Sequence, residues 1–205
     1  MSAHTHAEGH LPHEPEKATL EGRNKILGFW IFLGAEVVLF GTLFGSYLAL
    51  RHQVLDGPDP SHLFQLPMVF AMTLILLTSS LMSVFAVQAM HRYNVKSLLG
   101  WLVATVVLGL AFLGLEIYEF VHYVHEGHQV GTSAFSTSFY TLVGFHGAHV
   151  AFGVLWISLL AAQLTKKGIN TITAPKIYVS MLYWHFIDVV WVFIFTVVYL
   201  MGKVG

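Results

Sequence analysis

The chain has 205 residues, of which 56% are hydrophobic and only 10% are charged. About a quarter of the residues of a soluble domain are charged, so this chain has too little polar surface for water and must use lipid as its solvent. A net charge of -1 excludes electrostatic capture of nucleic acid as a main activity, and the absence of cysteine removes disulfides, thiolate metal sites, cysteine catalysis and palmitoylation together.

Residues 1–25 are polar and lack the basic, apolar and small-residue succession of a cleaved signal, so the first apolar segment is expected to stay as a helix. His4, His6, His10 and His13 lie in this tail, and a polar, proline-containing stretch of this kind reads as disordered rather than as a metal tract.

A spanning helix needs roughly 20 apolar residues to cross about 30 Å of hydrocarbon. Five segments qualify: about Ile26 to Leu50, Leu66 to Met90, Leu98 to Phe120, Ser138 to Gln163, and Ile177 to Met201. Residues 26–205 therefore read as one all-α membrane domain of five transmembrane helices. Asp56-Gly57-Pro58-Asp59-Pro60 breaks the chain after the first span, and Pro67 and Pro175 stand at helix starts, where a missing amide donor is tolerated.

Orientation follows from Lys and Arg. With the N-terminus in the cytoplasm, Lys17, Arg23, Lys25, Arg92, Lys96, Lys166, Lys167 and Lys176 fall inside, and only Arg51 and Lys203 fall outside. That bias fixes the predicted topology, with the C-terminus outside. The outer loop holding His122, His125, Glu126 and His128 carries no Lys or Arg.

Within the spans, ionisable groups cost several kcal/mol and are functional candidates by default. In the first span, Glu36 is ten residues from the inner edge, roughly 15 Å deep and near the midplane. Gly34, Gly41 and Gly45 share a stripe on that helix, with Gly41 and Gly45 forming a small-xxx-small seam for close helix approach. In the third span, Glu116 is expected to be half-buried, while Glu119, His122 and His125 read as a helix end emerging among headgroups. In the fourth and fifth spans, His149 and Asp188 reach the depth of Glu36 from opposite sides, and His146 and His185 precede them by three residues on the same helix faces. Trp30, Trp101, Trp184, Tyr47, Tyr118, Tyr140, Tyr178 and Tyr199 read as interfacial anchors.

The structural reading of these polar groups is interhelical hydrogen bonding, worth about 1 kcal/mol or less per bond. A midplane carboxyl is harder to dismiss, because Ser, Thr or Asn would supply the same glue at lower cost. Its ionised form costs at least ~2.5 kcal/mol, so Glu36 is expected to hold its proton in a hydrogen bond to a neighbouring helix, His149 first. Haem ligation by His149 with His185 and a proton relay through Glu36 and Asp188 are the rival readings. Against them stand the missing two-haem histidine spacing, the sparse His146-Gly147-Ala148-His149 motif, and the lack of internal repeats or mid-span prolines.

Four strings carry more than their physics: Gly28-Phe29-Trp30-Ile31-Phe32-Leu33-Gly34-Ala35-Glu36, Gly114-Leu115-Glu116-Ile117-Tyr118-Glu119, Gly144-Phe145-His146-Gly147-Ala148-His149-Val150, and Tyr183-Trp184-His185-Phe186-Ile187-Asp188-Val189-Val190-Trp191. Over residues 25 to 205 they resemble subunit III of the haem-copper terminal oxidases, specifically the five-helix bacterial form in cytochrome c oxidase. The resemblance implies a V-shaped helical bundle with a lipid-filled cleft, packed on subunit I of a proton-pumping oxidase in the bacterial plasma membrane. It implies no catalytic residue, metal or redox centre on this chain. Haem and copper are expected in subunits I and II, with cytochrome c as electron donor to the complex and phospholipid bound to this subunit, which supports proton uptake and stability. Glu36 matches the family's buried carbodiimide-sensitive glutamate, His146 and His149 its HGxH motif, and Trp184, His185 and Asp188 its final-helix motif. Subunit III of a quinol oxidase shares the plan and is the alternative.

Overall fold

The computed structural model describes residues 13–51, 66–125 and 133–204. Five helices long and apolar enough to cross a membrane make up almost all of it: α1 (Leu20–Leu50), α2 (Leu66–His91), α3 (Val95–His125), α4 (Ala134–Lys167) and α5 (Thr173–Ile194). α5 runs on through a π-helical turn, Phe195–Leu200, into the short α6, Met201–Val204. His4, His6, His10, His128 and the Asp56 to Pro60 break lie outside the described residues.

Several helices are longer than the apolar segments that announce them. Hydropathy marks the part inside hydrocarbon, whereas backbone hydrogen bonding continues among the headgroups until a cap ends it. Thr19 caps α1 by accepting from Gly22 N at 3.0 Å, and Ser133 caps α4 by accepting from Ser136 N at 3.0 Å. Before α1, Pro15–Lys17 forms one 3-10 turn whose Glu16 side chain is buried, both carboxylate oxygens 3.2 Å from His91 Nε2 at the end of α2.

Two short connections fold the chain back on itself. Between α2 and α3, Tyr93 takes a left-handed φ of 53° and Asn94 Oδ1 accepts from Ser97 N at 3.1 Å to open the next helix. Between α4 and α5, Gly168 takes φ 63°, and Asn170 Oδ1 accepts from Ile172 N and Thr173 N, both at 2.9 Å. Such short turns make neighbouring helices antiparallel, so Arg92, Lys96, Lys166, Lys167 and Lys176 collect at the end where α1 starts.

α5 is the centre of the packing, lying against α1, α2 and α4, while α3 packs on α2 and α4. Trp184, expected at an interface, is instead 1% exposed in the core. Its indole donates to Ser79 Oγ of α2 at 3.0 Å, and its ring fills the space left by two absent side chains: a Cβ at Gly109 of α3 would lie 2.7 Å from it, and one at Gly153 of α4 3.0 Å. Tyr47 and Tyr199 are also buried rather than anchoring an interface, whereas Trp30 and Tyr118 point outward.

The glycine stripe of α1 likewise differs from expectation. Gly34, Gly41 and Gly45 are exposed, and a Cβ at any of them would meet nothing within 4 Å, so this stripe is no seam within the chain. The close approaches occur at Gly22, against the Glu16 carbonyl at the start of α1, and between helices at Gly109, Gly147 and Gly153. Rotation about the helix axis is set by all contacts together, and spacing alone did not distinguish the inward glycines from the outward ones.

Candidate functional site

α4 carries two imidazoles that serve opposite flanks. His149 turns to α1, where its Nε2 lies 3.2 Å from Glu36 Oε2, close but outside hydrogen-bond geometry, so that this oxygen has no hydrogen-bond partner among the described residues. The other ring nitrogen, Nδ1, lies 2.7 Å from the Phe145 carbonyl. A carbonyl only accepts, so Nδ1 carries a hydrogen and donates. The ring therefore presents to Glu36 either a lone pair or the second hydrogen of an imidazolium. Glu36 and His149 side chains are 13% and 17% exposed, the Phe40 ring meets the imidazole edge-on at 5.1 Å, and Tyr183 donates to the His149 carbonyl at 3.2 Å. His149 borders a hollow of about 260 Å³ between Phe32, Phe152 and Tyr183.

Depth along the helices puts Glu36, His149 and Asp188 at one level, and the structure divides them between two seams. Asp188 and His185 face α2. Ser83 Oγ donates to the Ser80 carbonyl at 2.7 Å, so its oxygen accepts from His185 Nε2 at 3.1 Å, and the Ser80 hydroxyl donates to His185 Nδ1 at 2.7 Å. The Asp188 carboxyl lies beside Ser80, with Oδ1 unpartnered among the described residues. His149 and His185 are thus committed to protein groups on separate seams and do not face each other across a haem. The serines of α2 that occupy His185 gave no sequence signal of their own, because Ser is common in membrane helices.

The C-terminal end of α3 also departs from expectation. Glu119 is buried, 2% exposed, and accepts from the Tyr123 hydroxyl and, at 3.0 Å, from Tyr199 Oη. Its partner Tyr199 stands on the π-helical turn, a local geometry that periodicity cannot reveal. Glu116, expected half-buried, is 3% exposed. His146 is fully enclosed, with Nε2 3.3 Å from the Ile187 carbonyl and its ring tilted over Trp191 at 5.2 Å. Among the described residues no three His, Asp or Glu side chains converge as a metal site.

Before α1, outside the spans, the Lys17 ammonium donates to Glu14 at 2.9 Å, which holds that carboxyl below its ordinary range and the lysine above its own. What the membrane part offers chemically is hydrogen bonding: imidazoles tied to backbone or serine, and carboxyls largely buried.

A family model, cytochrome c oxidase subunit III, matches residues 6–203. The chain belongs to the cytochrome c oxidase subunit III family. It is 60% identical to the cytochrome c oxidase subunit 3 of Bacillus sp. (strain PS3), over 98% of this chain and the whole of the relative. Against Bacillus subtilis (strain 168) the chain is 58% identical to cytochrome c oxidase subunit 3, over 95% of each, and 49% identical to quinol oxidase subunit 3, over 98% of this chain and 97% of that one. Within the subunit III family the chain thus resembles these cytochrome c relatives more than the quinol ones, and its paired carboxyl and imidazole groups lie inside the matched region.

Proposed function

We propose that this chain is the non-redox accessory subunit III of a proton-pumping cytochrome c oxidase in the bacterial plasma membrane, with other oxidase subunits, I and II, as partners. The observation that carries this reading is full-length similarity to subunit 3 proteins combined with imidazoles already occupied by Glu36, Ser80, Ser83 and backbone carbonyls. Haem and copper chemistry then belongs to the partner subunits, and this chain contributes packing, lipid and a buried proton. A polar tail over residues 1–25 precedes the membrane domain, and the N-terminus lies in the cytoplasm. The open glycine face of α1, with Gly34, Gly41 and Gly45, suits close approach by a helix of another subunit.

Phospholipid is the ligand that the surface supports best. A groove of about 310 Å³ between α1, α4 and α5 has Lys25 and Lys176 at its inner end and Phe29, Phe32 and Trp156 along its walls. It shares Phe32 with the hollow beside His149. Two ammonium groups at headgroup level above an aromatic channel match a phosphate with an acyl chain below it. This groove is the counterpart of the family's lipid-filled cleft.

Purification of the tagged chain from native membranes tests the assignment. Subunits I and II and their haem spectrum should accompany it, and the isolated chain should show no Soret band. A stoichiometric Soret band on the chain alone would overturn the reading. Replacing Lys25 and Lys176 together with Ala should lower the phospholipid retained after detergent extraction, and unchanged retention would refute the groove as its seat.

A further inference from the structure

Glu116 and His146 are the buried titratable groups for which the proposed function has no use. His146 is wholly enclosed, and its Nε2 faces the Ile187 carbonyl at 3.3 Å. A carbonyl can only accept, so Nε2 carries the hydrogen, and Nδ1 of the neutral ring is left as a lone-pair acceptor. No donor reaches Nδ1 among the described residues, and none reaches Glu116 Oε1. The two orphans are neighbours. A Cβ at Gly147 would stand 2.7 Å from both oxygens of Glu116, so the carboxyl lies against the α4 backbone at the residue beside His146. One turn earlier on α3, Phe112 meets the His146 ring edge-on with centroids 5.9 Å apart, which turns the same face of α3 toward the imidazole. Glu119, the nearest other carboxyl on that face, already has its oxygens taken by Tyr123 and Tyr199.

We propose that Glu116 and His146 form a second carboxyl–imidazole pair, the Glu116 O–H donating to His146 Nδ1 through one internal water. Two adjacent buried polar groups, one able to give a hydrogen and one able only to accept, are each destabilising alone and are satisfied together. The pair repeats the logic of Glu36 and His149 with the ring nitrogens exchanged. His149 spends Nδ1 on a backbone carbonyl and offers Nε2 to α1, whereas His146 spends Nε2 on a backbone carbonyl and offers Nδ1 to α3. α4 then holds one proton-bearing pair on each flank, and Gly147 is a positioning residue whose missing side chain seats the Glu116 carboxyl.

Infrared spectroscopy of the intact oxidase complex in lipid tests this. The wild type should show the C=O stretch of a protonated, hydrogen-bonded carboxylic acid that Glu116→Gln abolishes. His146→Phe should move that band to higher wavenumber by removing the acceptor, and Gly147→Ala, which keeps both partners but pushes the carboxyl, should move it as well. A band that Glu116→Gln removes but that neither other variant moves would overturn the pairing, as would the absence of any such band. If neither variant assembles, ¹⁵N-histidine NMR of wild type against Glu116→Gln decides. The His146 Nδ1 resonance is expected to shift, and an unmoved resonance would refute the pair.

Discussion

α1 and α5 are comparably apolar, yet half of the most apolar stretch of α5 is buried within the chain and only 17% of that of α1. α5 presents Trp184 and Trp191 to three other helices and satisfies their indoles with Ser79 and Thr73. α1 turns Trp30, Ile31, Val38 and its glycines outward and keeps few buried side chains, among them Leu33, Phe40 and Tyr47. Hydrophobicity in a membrane protein names the solvent and does not name the neighbour. α5 holds this chain together, whereas α1 is built mainly for what lies outside it.

That contrast can be broken most severely at Trp184. Trp184→Ala would leave a cavity bounded by α2, α3 and α4 and strip Ser79 of its donor, with an expected loss of about 3–5 kcal/mol. Thermal unfolding of the detergent-solubilised chain measures it, and a loss as small as that of a surface substitution would deny α5 its central role. Gly109→Ala approaches the same seam from the other side, setting a methyl 2.7 Å from Trp184 Cη2 and 2.8 Å from Val154 Cγ2. Overpacking there should cost about 1–3 kcal/mol.

On the α1 side the expected effects are smaller and depend on chemistry rather than volume. Glu36→Ala should leave His149 Nε2 without its partner and cost about 1–3 kcal/mol, whereas Glu36→Gln, which keeps shape and a donor, should leave assembly and oxygen consumption near normal. A Gln variant that assembles yet pumps protons poorly would show Glu36 to be a relay instead. Smallest of all, Gly41→Ala meets open space. The solubilised chain should be unchanged or up to about 1 kcal/mol more stable, since alanine favours helix. Any harm should surface only as weaker retention of the partner subunits during purification, and harm to the solubilised chain alone would argue that the glycine face is internal.

The five spans were legible because hydrocarbon thickness imposes a length that composition reveals directly. Glu36 with His149 was legible too, since depth counted along two helices brings them level. Depth gives no azimuth, however, and Asp188 at the same level faces α2 instead. Glu119 read as a headgroup residue because its burial is made by Tyr123 one turn on and by Tyr199, 80 residues away. Gly109, Gly147 and Gly153 carried no mark separating them from Gly34, Gly41 and Gly45. Which glycine matters depends on the side chain opposite, Trp184 or Glu116, and that choice is made only when the helices dock.

The π-helical turn of Phe195–Leu200 bears on how this chain tolerates insertion and deletion. A turn of that kind holds one residue more than an α-helical turn, so everything after it is rotated by roughly 100° relative to an uninterrupted helix. Deleting a single residue such as Val197 would restore ordinary α-helical winding with almost no change in span length or apolarity. It would also swing Tyr199 away from Glu119, leaving a carboxyl stranded at the C-terminal end of α3. Two chains that differ there by one residue would look alike in hydropathy and differ in whether their last helix is fastened to their third.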